Sequence, residues 1–246
     1  LCYNLFTNTL NIRQANDKNM QAHTSQTHPA VGEGSEGVEV VNTTTTPLSA
    51  SPYASSASMG AIPQAIQRLK ELQINFLALD FDQTILNIHT GGRWQGTLEE
   101  LLPHVRPVFL QLIPAAQEAG LEVAVVTFSR QVSLVRGVLD TIMTSSGIEL
   151  ANPSKPSGRI PIRGNDRSWS YTGKGSRMGK QAYMASAVEE LEYRFQSDNL
   201  HITRQSSLLI DDDAQNCKIA LQNGVRAIWF NPDKPHRLLP EMIKLQ

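Results

Sequence analysis

Four apolar runs of strand length, at residues 74–79, 121–126, 207–210 and 225–230, are separated by segments whose apolar residues recur at helical spacing. Ile66, Leu69 and Leu72 lead into the first run, and Val105, Val108, Phe109, Leu112 and Ile113 give a predicted helix over 102–119. Val132, Val135, Leu139 and Ile142 mark another over 131–143, with further helices expected at 181–195 and 214–223. A strand whose residues are apolar on both faces has to be covered on both faces, and strand–helix alternation supplies that cover only around a parallel sheet. The predicted fold is therefore α/β: a three-layer αβα sandwich on a mostly parallel, Rossmann-like sheet.

Composition bounds the rest. With 40% hydrophobic and 18% charged residues the chain reads as globular, and 22 basic against 23 acidic side chains create no global field favouring nucleic acid or an anionic membrane. No apolar run reaches the roughly 18 to 20 residues of a membrane span. Cys2 and Cys217 stand far apart, in neither metal-ligand nor disulfide spacing, which suits a reducing compartment, so a cytoplasmic location is expected. The chain begins at Leu1, which leaves a targeting segment open. Residues 1–60 are dominated by Thr, Ser, Gly, Ala and Pro between 21 and 59 and are expected to be a disordered leader; the domain proper is expected over 61–246. Residues 151–179, rich in Gly, Pro, Ser and Arg, are expected to form a loop or small hairpin insertion.

The chemistry sits where the apolar runs stop. The first ends in Asp80-Phe81-Asp82-Gln83-Thr84, and in strand geometry Asp80 and Asp82 project to the same side, into the crevice where parallel sheets bind ligands. The third ends in Asp211-Asp212-Asp213 with Asn216 beyond; Asp213 reads as the N-cap of the helix that follows. Two acidic clusters at one sheet edge repel by about 4 kcal/mol per pair at 4 Å and an effective dielectric near 20, which a divalent cation reverses. Hard oxygen ligands with no His or Cys cluster point to Mg2+. Thr127 ends the second run, and with Ser129 it offers hydroxyl and amide groups to phosphate oxygens. Lys180, opening a helix after Gly179, is preferred over Lys174 in its glycine loop as the cation that balances the charge.

In their order these elements resemble the haloacid dehalogenase superfamily. Its Asp-x-Asp-x-Thr motif matches Asp80 to Thr84, its strand-ending Ser or Thr matches Thr127, its helix-opening base matches Lys180, and its strand ending in two acids with an Asn beyond matches Asp211, Asp212 and Asn216. The resemblance covers about residues 70–235. It implies a phosphatase in which Asp80 attacks phosphorus to form an aspartyl-phosphate, Asp82 serves as general acid and base, and Thr127 and Lys180 grip the phosphoryl group. It also implies that magnesium is held by Asp80, the backbone carbonyl of Asp82, and Asp211, with Asp212 bound directly or at one remove.

Only about 43 residues separate Asp82 from Val126, too few for a large cap, so an open, essentially capless site accepting bulky phosphoesters is expected. The loop from His89 to Trp94 stands where the family places a flap; Arg93 there offers an anion contact, and Trp94 either stacks on a substrate ring or anchors the loop. His89 is expected to hydrogen-bond within that loop. Lys155, Arg159, Arg163, Arg167, Lys174, Arg177 and Lys180 against the single acid Asp166 suggest an anionic substrate, such as a nucleotide, a nucleic-acid end or a phosphoprotein. Two rival readings stand beside the enzyme. One is a phosphate-binding or interaction protein that keeps the fold without turnover. The other is a phosphorelay receiver, whose acids, however, occur in a different order along the chain.

Overall fold

The computed structural model describes residues 56–146, 160–196 and 199–246, with backbone only for 56–59. Helix α1 (Ser56–Glu71) leads into β1 (Phe76–Leu79), followed by α2 (Leu98–Leu101), α3 (Pro107–Glu118), β2 (Glu122–Val126) and α4 (Val132–Ser145). The chain continues through β3 (Ile162–Arg163), α5 (Gln181–Arg194), β4 (Ser207–Asp211), α6 (Ala214–Gln222), β5 (Arg226–Trp229) and α7 (Leu238–Ile243). The five strands form one all-parallel sheet in the order β3-β2-β1-β4-β5. The α/β sandwich expected from the apolar runs is the observed fold.

Strand alternation divides the core. Leu77 and Leu79 of β1, Val123 and Val125 of β2, and Leu208 and Ile210 of β4 join residues of α1, α3, α4 and α7 on one side. Phe76, Ala78, Ala124, Val126 and Leu209 point the other way, onto Met184, Val188 and Leu191 of α5 and Ala220 of α6. Each fully buried Leu or Val contributes roughly 1.5–3 kcal/mol, so a slip of one residue in any central strand would exchange the two cores and is strongly disfavoured.

Topology then places a crevice. From β1 the chain moves outward through β2 to β3, then crosses back to β4 on the other flank of β1. Parallel sheets bind ligands beyond the strand carboxyl ends where the winding reverses. Here that point lies between the ends of β1 and β4, the positions of Asp80 and Asp211.

Two expectations are revised and one element is added. The helix expected over 102–119 is broken into α2, a single tight turn at Leu102–His104, and α3. Pro103 and Pro107 explain the break, because each lacks an amide donor and Pro107 suits the first turn of α3. The stretch 151–179 is more than a loop: Ile162 and Arg163 pair with Val125 and Val126 as an edge strand, while residues 147–159, including Lys155 and Arg159, lie outside the described residues. After β5 the chain adds α7, whose Leu238, Leu239 and Met242 are buried and which packs on α1. The described residues begin at Ser56, the first residue of α1; residues 1–55 of the expected leader lie outside them.

Candidate active site

Asp80 follows the last residue of β1, and its amide donates to the Ile210 carbonyl at 2.9 Å, which keeps the β1–β4 ladder paired up to the carboxylate. Asp211 ends β4 and Asp212 follows it. One carboxylate oxygen from each of Asp80, Asp211 and Asp212 lies within 4.8 Å of the other two. Asp80 and Asp211 are buried and Asp212 is half-buried.

Lys180 enters this cluster from the start of α5. Only 1% exposed, its Nζ donates to Asp80 Oδ1 at 2.7 Å and to the Val126 carbonyl at 2.9 Å, and stands 4.0 Å from Asp211 Oδ2. Gly179 makes that entry possible. Its φ is +55°, and a Cβ there would come within 3.1 Å of Asn216 Oδ1 and 3.2 Å of Ile219 Cδ1. One ammonium does not balance three carboxylates. Burial pushes Asp80 up to about 7, against the pull of Lys180 and with the added repulsion of Asp211 and Asp212. Burial likewise raises Asp211, although Lys180, the Asp213 amide and Asn216 oppose it, and it raises Asp212. The cluster is short of positive charge, and its donors are hard oxygens only, so the residues present fit a divalent cation.

The remaining contacts fix the acids in place. Asn216 Nδ2 donates to both Asp211 oxygens, at 3.2 and 3.1 Å, and the Asp213 amide donates to Oδ1 at 2.9 Å. Asp213 caps α6 as expected, accepting from the Gln215 amide at 2.7 Å. Thr84 is fully buried and joins the turn after β1 to Asp212.

Asp82 is placed differently from the strand-based expectation. β1 ends at Leu79, the chain turns through Phe81–Ile85 with Gln83 at φ 61°, and the Asp82 carboxylate faces the next loop. It accepts from the Thr90 hydroxyl at 2.8 and 3.0 Å and from the Thr90 amide at 3.2 Å, with His89 Nδ1 at 3.3 Å. Its side chain is outside the three-carboxylate cluster. His89 Nδ1 accepts from the Gly91 amide at 2.9 Å, the loop role expected of it.

Thr127 and Ser129 are buried beside this edge. The Ser129 amide donates to Thr127 Oγ1 at 3.1 Å, and Ser129 Oγ accepts from the Gln131 amide at 3.2 Å. Arg93 is exposed on the loop, where Gly91 and Gly92 both have positive φ. Trp94 is an anchor: it packs against the core, and its Nε1 donates to the Thr97 carbonyl at 2.9 Å. Lys174 is exposed in its glycine loop, so Lys180 alone of the two lysines reaches the acids.

Three supporting residues left no mark in the sequence pattern. Gln131 accepts from the Trp94 amide at 2.5 Å and donates to the Trp94 carbonyl at 3.0 Å, pinning the loop to the start of α4. Arg106, buried, donates to the carbonyls of Leu86 and Gln83 at 3.3 and 3.2 Å and braces the turn that carries Asp82. Thr90 holds Asp82.

Comparison with protein-family models, curated proteins and solved structures found no match, leaving the site's own geometry as the basis for its chemistry.

Proposed function

We propose that the chain is a magnesium-dependent phosphomonoester hydrolase that works through an aspartyl-phosphate on Asp80, as its resemblance to the haloacid dehalogenase superfamily implies. The observation that supports this most is the buried Asp80–Lys180 pair set against Asp211 and Asp212 at the winding reversal. Asp80 attacks phosphorus as the bond to the leaving oxygen breaks, and Asp82 gives that oxygen a proton. Asp82 then takes a proton from water, which attacks the acyl-phosphate and releases inorganic phosphate and free Asp80. To act, Asp82 exchanges its bonds to Thr90 for one to the substrate. Lys180 orients Asp80 and balances the incoming dianion, and Thr127 and Ser129 offer donors to phosphoryl oxygens. Arg93 approaches from the loop. Magnesium, held by Asp80, the Asp82 carbonyl and Asp211 with Asp212 beside them, supplies charge neutralisation when bound.

The substrate class proposed is a phosphoprotein, nucleotide or other bulky phosphoester. No helix among the described residues is long and apolar enough to cross a membrane. Cys217 is buried and free, its thiol pushed up to about 12 by burial and by Asp211 and Asp213, so it is no nucleophile and suits a reducing cytoplasm.

A panel of phosphoesters assayed for phosphate release, with magnesium and with chelator, tests the reading against a non-catalytic phosphate-binding protein. Release that requires magnesium and drops to background in Asp80→Asn is expected. Folded protein that releases nothing, or an Asp80→Asn variant with unchanged turnover, rules the enzyme out.

A further inference from the structure

The mouth of the site carries an aromatic wall that the proposed chemistry does not use. Phe128, directly after Thr127, is 48% exposed, yet its ring lies under the buried Lys180 ammonium, 3.9 Å from Nζ to the ring centroid. The same ammonium donates to Asp80. A ring that meets solvent is thus one cation away from the carboxylate that takes the phosphoryl group. Behind it Tyr183 stands edge-on at 5.4 Å, and Trp169 meets Tyr183 at 4.6 Å. Trp169 is fixed by its Nε1 donating to the Gly164 carbonyl at 2.6 Å.

A wall of this kind is pre-organised: three rings hold one another at fixed tilts, and the outermost is the one open to solvent beside the Lys180–Asp80 pair. Had Phe128 only to shield the Lys180–Asp80 pair, an aliphatic side chain would cover it as well. Trp94, on the loop that follows the first acids, is committed to the core and to Thr97.

We infer that Phe128, backed by Tyr183 and Trp169, is a recognition surface for a flat ring bonded to the phosphoryl oxygen, so that the favoured ligands are aryl monophosphates rather than alkyl ones. This rests on the proposed phosphoryl site at Asp80. The short path from ring to ammonium to Asp80 favours a ring attached directly through the ester oxygen. A sugar spacer would carry a base past the wall. Stacking of this kind contributes about tenfold in affinity at most.

The test pairs binding with turnover. Phenylphosphonate and methylphosphonate are titrated calorimetrically in magnesium against wild type and Phe128→Leu, which keeps an apolar cover over Lys180 but removes the ring. Wild type is expected to bind the phenyl probe about tenfold more tightly, and the variant to bring the two within about twofold. In parallel, phenyl phosphate and ethyl phosphate are compared as substrates through the change in their ratio between wild type and variant, in which leaving-group reactivity cancels. The phenyl-to-ethyl ratio is expected to fall about as far as the binding preference does. Equal binding of both probes by wild type, or a preference that survives in Phe128→Leu, overturns the ring site. A phenyl preference without phosphate release supports the ring site and refutes the hydrolase; release with no ring preference does the reverse.

Discussion

The Thr84 hydroxyl accepts a hydrogen bond from the Asp212 amide at 3.1 Å, joining the turn after β1 to the turn after β4. Both clusters of acids therefore depend on one fully buried side chain. Thr84→Val keeps the shape but leaves that amide without an acceptor, a loss of about 1–3 kcal/mol. A lower urea midpoint with unchanged slope is expected, and Thr84→Ser should restore most of it; a valine variant as stable as wild type contradicts the link.

Among the described residues Lys180 is the one ammonium that reaches the three carboxylates, and Lys180→Met removes it. Removing one partner of a buried pair costs about 3–5 kcal/mol. Chemical denaturation is expected to show that loss in metal-free protein, and phosphate release should fall to background. Release at the wild-type rate would exclude Lys180 from the chemistry.

Metal-free stability should fall with rising pH across the window set by these acids. Burial raises Asp80 to about 7 and also lifts Asp211 and Asp212 above their ordinary values. Because the folded protein holds these protons more tightly than the unfolded chain, their contribution is full below about pH 3.9 and lost as pH climbs through the folded values. Urea midpoints from pH 5 to pH 8 are expected to decline without magnesium. With magnesium, which binds the ionised acids, the decline should flatten or reverse. Equal pH profiles with and without metal would count against a shared cation.

Gln131 holds the loop before α2 by two bonds to the Trp94 backbone. Gln131→Ala should speed amide exchange at Trp94 while leaving β1 and β4 protected. It should raise KM more than it lowers kcat, because the loop meets the acids through Thr90 and His89 at Asp82, away from Trp94. Unchanged exchange at Trp94 would show that the loop is held elsewhere.

The parts of the site that the sequence made legible are those tied to period and position. Asp80 and Asp211 could be placed because each interrupts an apolar run at the end of a strand, and Lys180 because a glycine precedes a helix start. Asp82 was legible as a residue but not in its direction, since strand alternation ceases at Leu79 and the turn at Gln83 rotates the carboxylate toward Thr90. The β3 strand is two residues long, too short to show any period, and only its pairing with Val125 and Val126 reveals it. Gln131 and Arg106 act through backbone carbonyls and amides, contacts that impose no spacing on the residues making them.

The most direct test is calorimetric titration of magnesium into metal-free protein beside Asp211→Asn, whose side chain keeps its size and loses its charge. One saturable ion per chain in the wild type, lost or severely weakened in the variant, is the expected result. No saturable binding, or equal binding by both proteins, would mean that Asp80 and Asp211 share no cation.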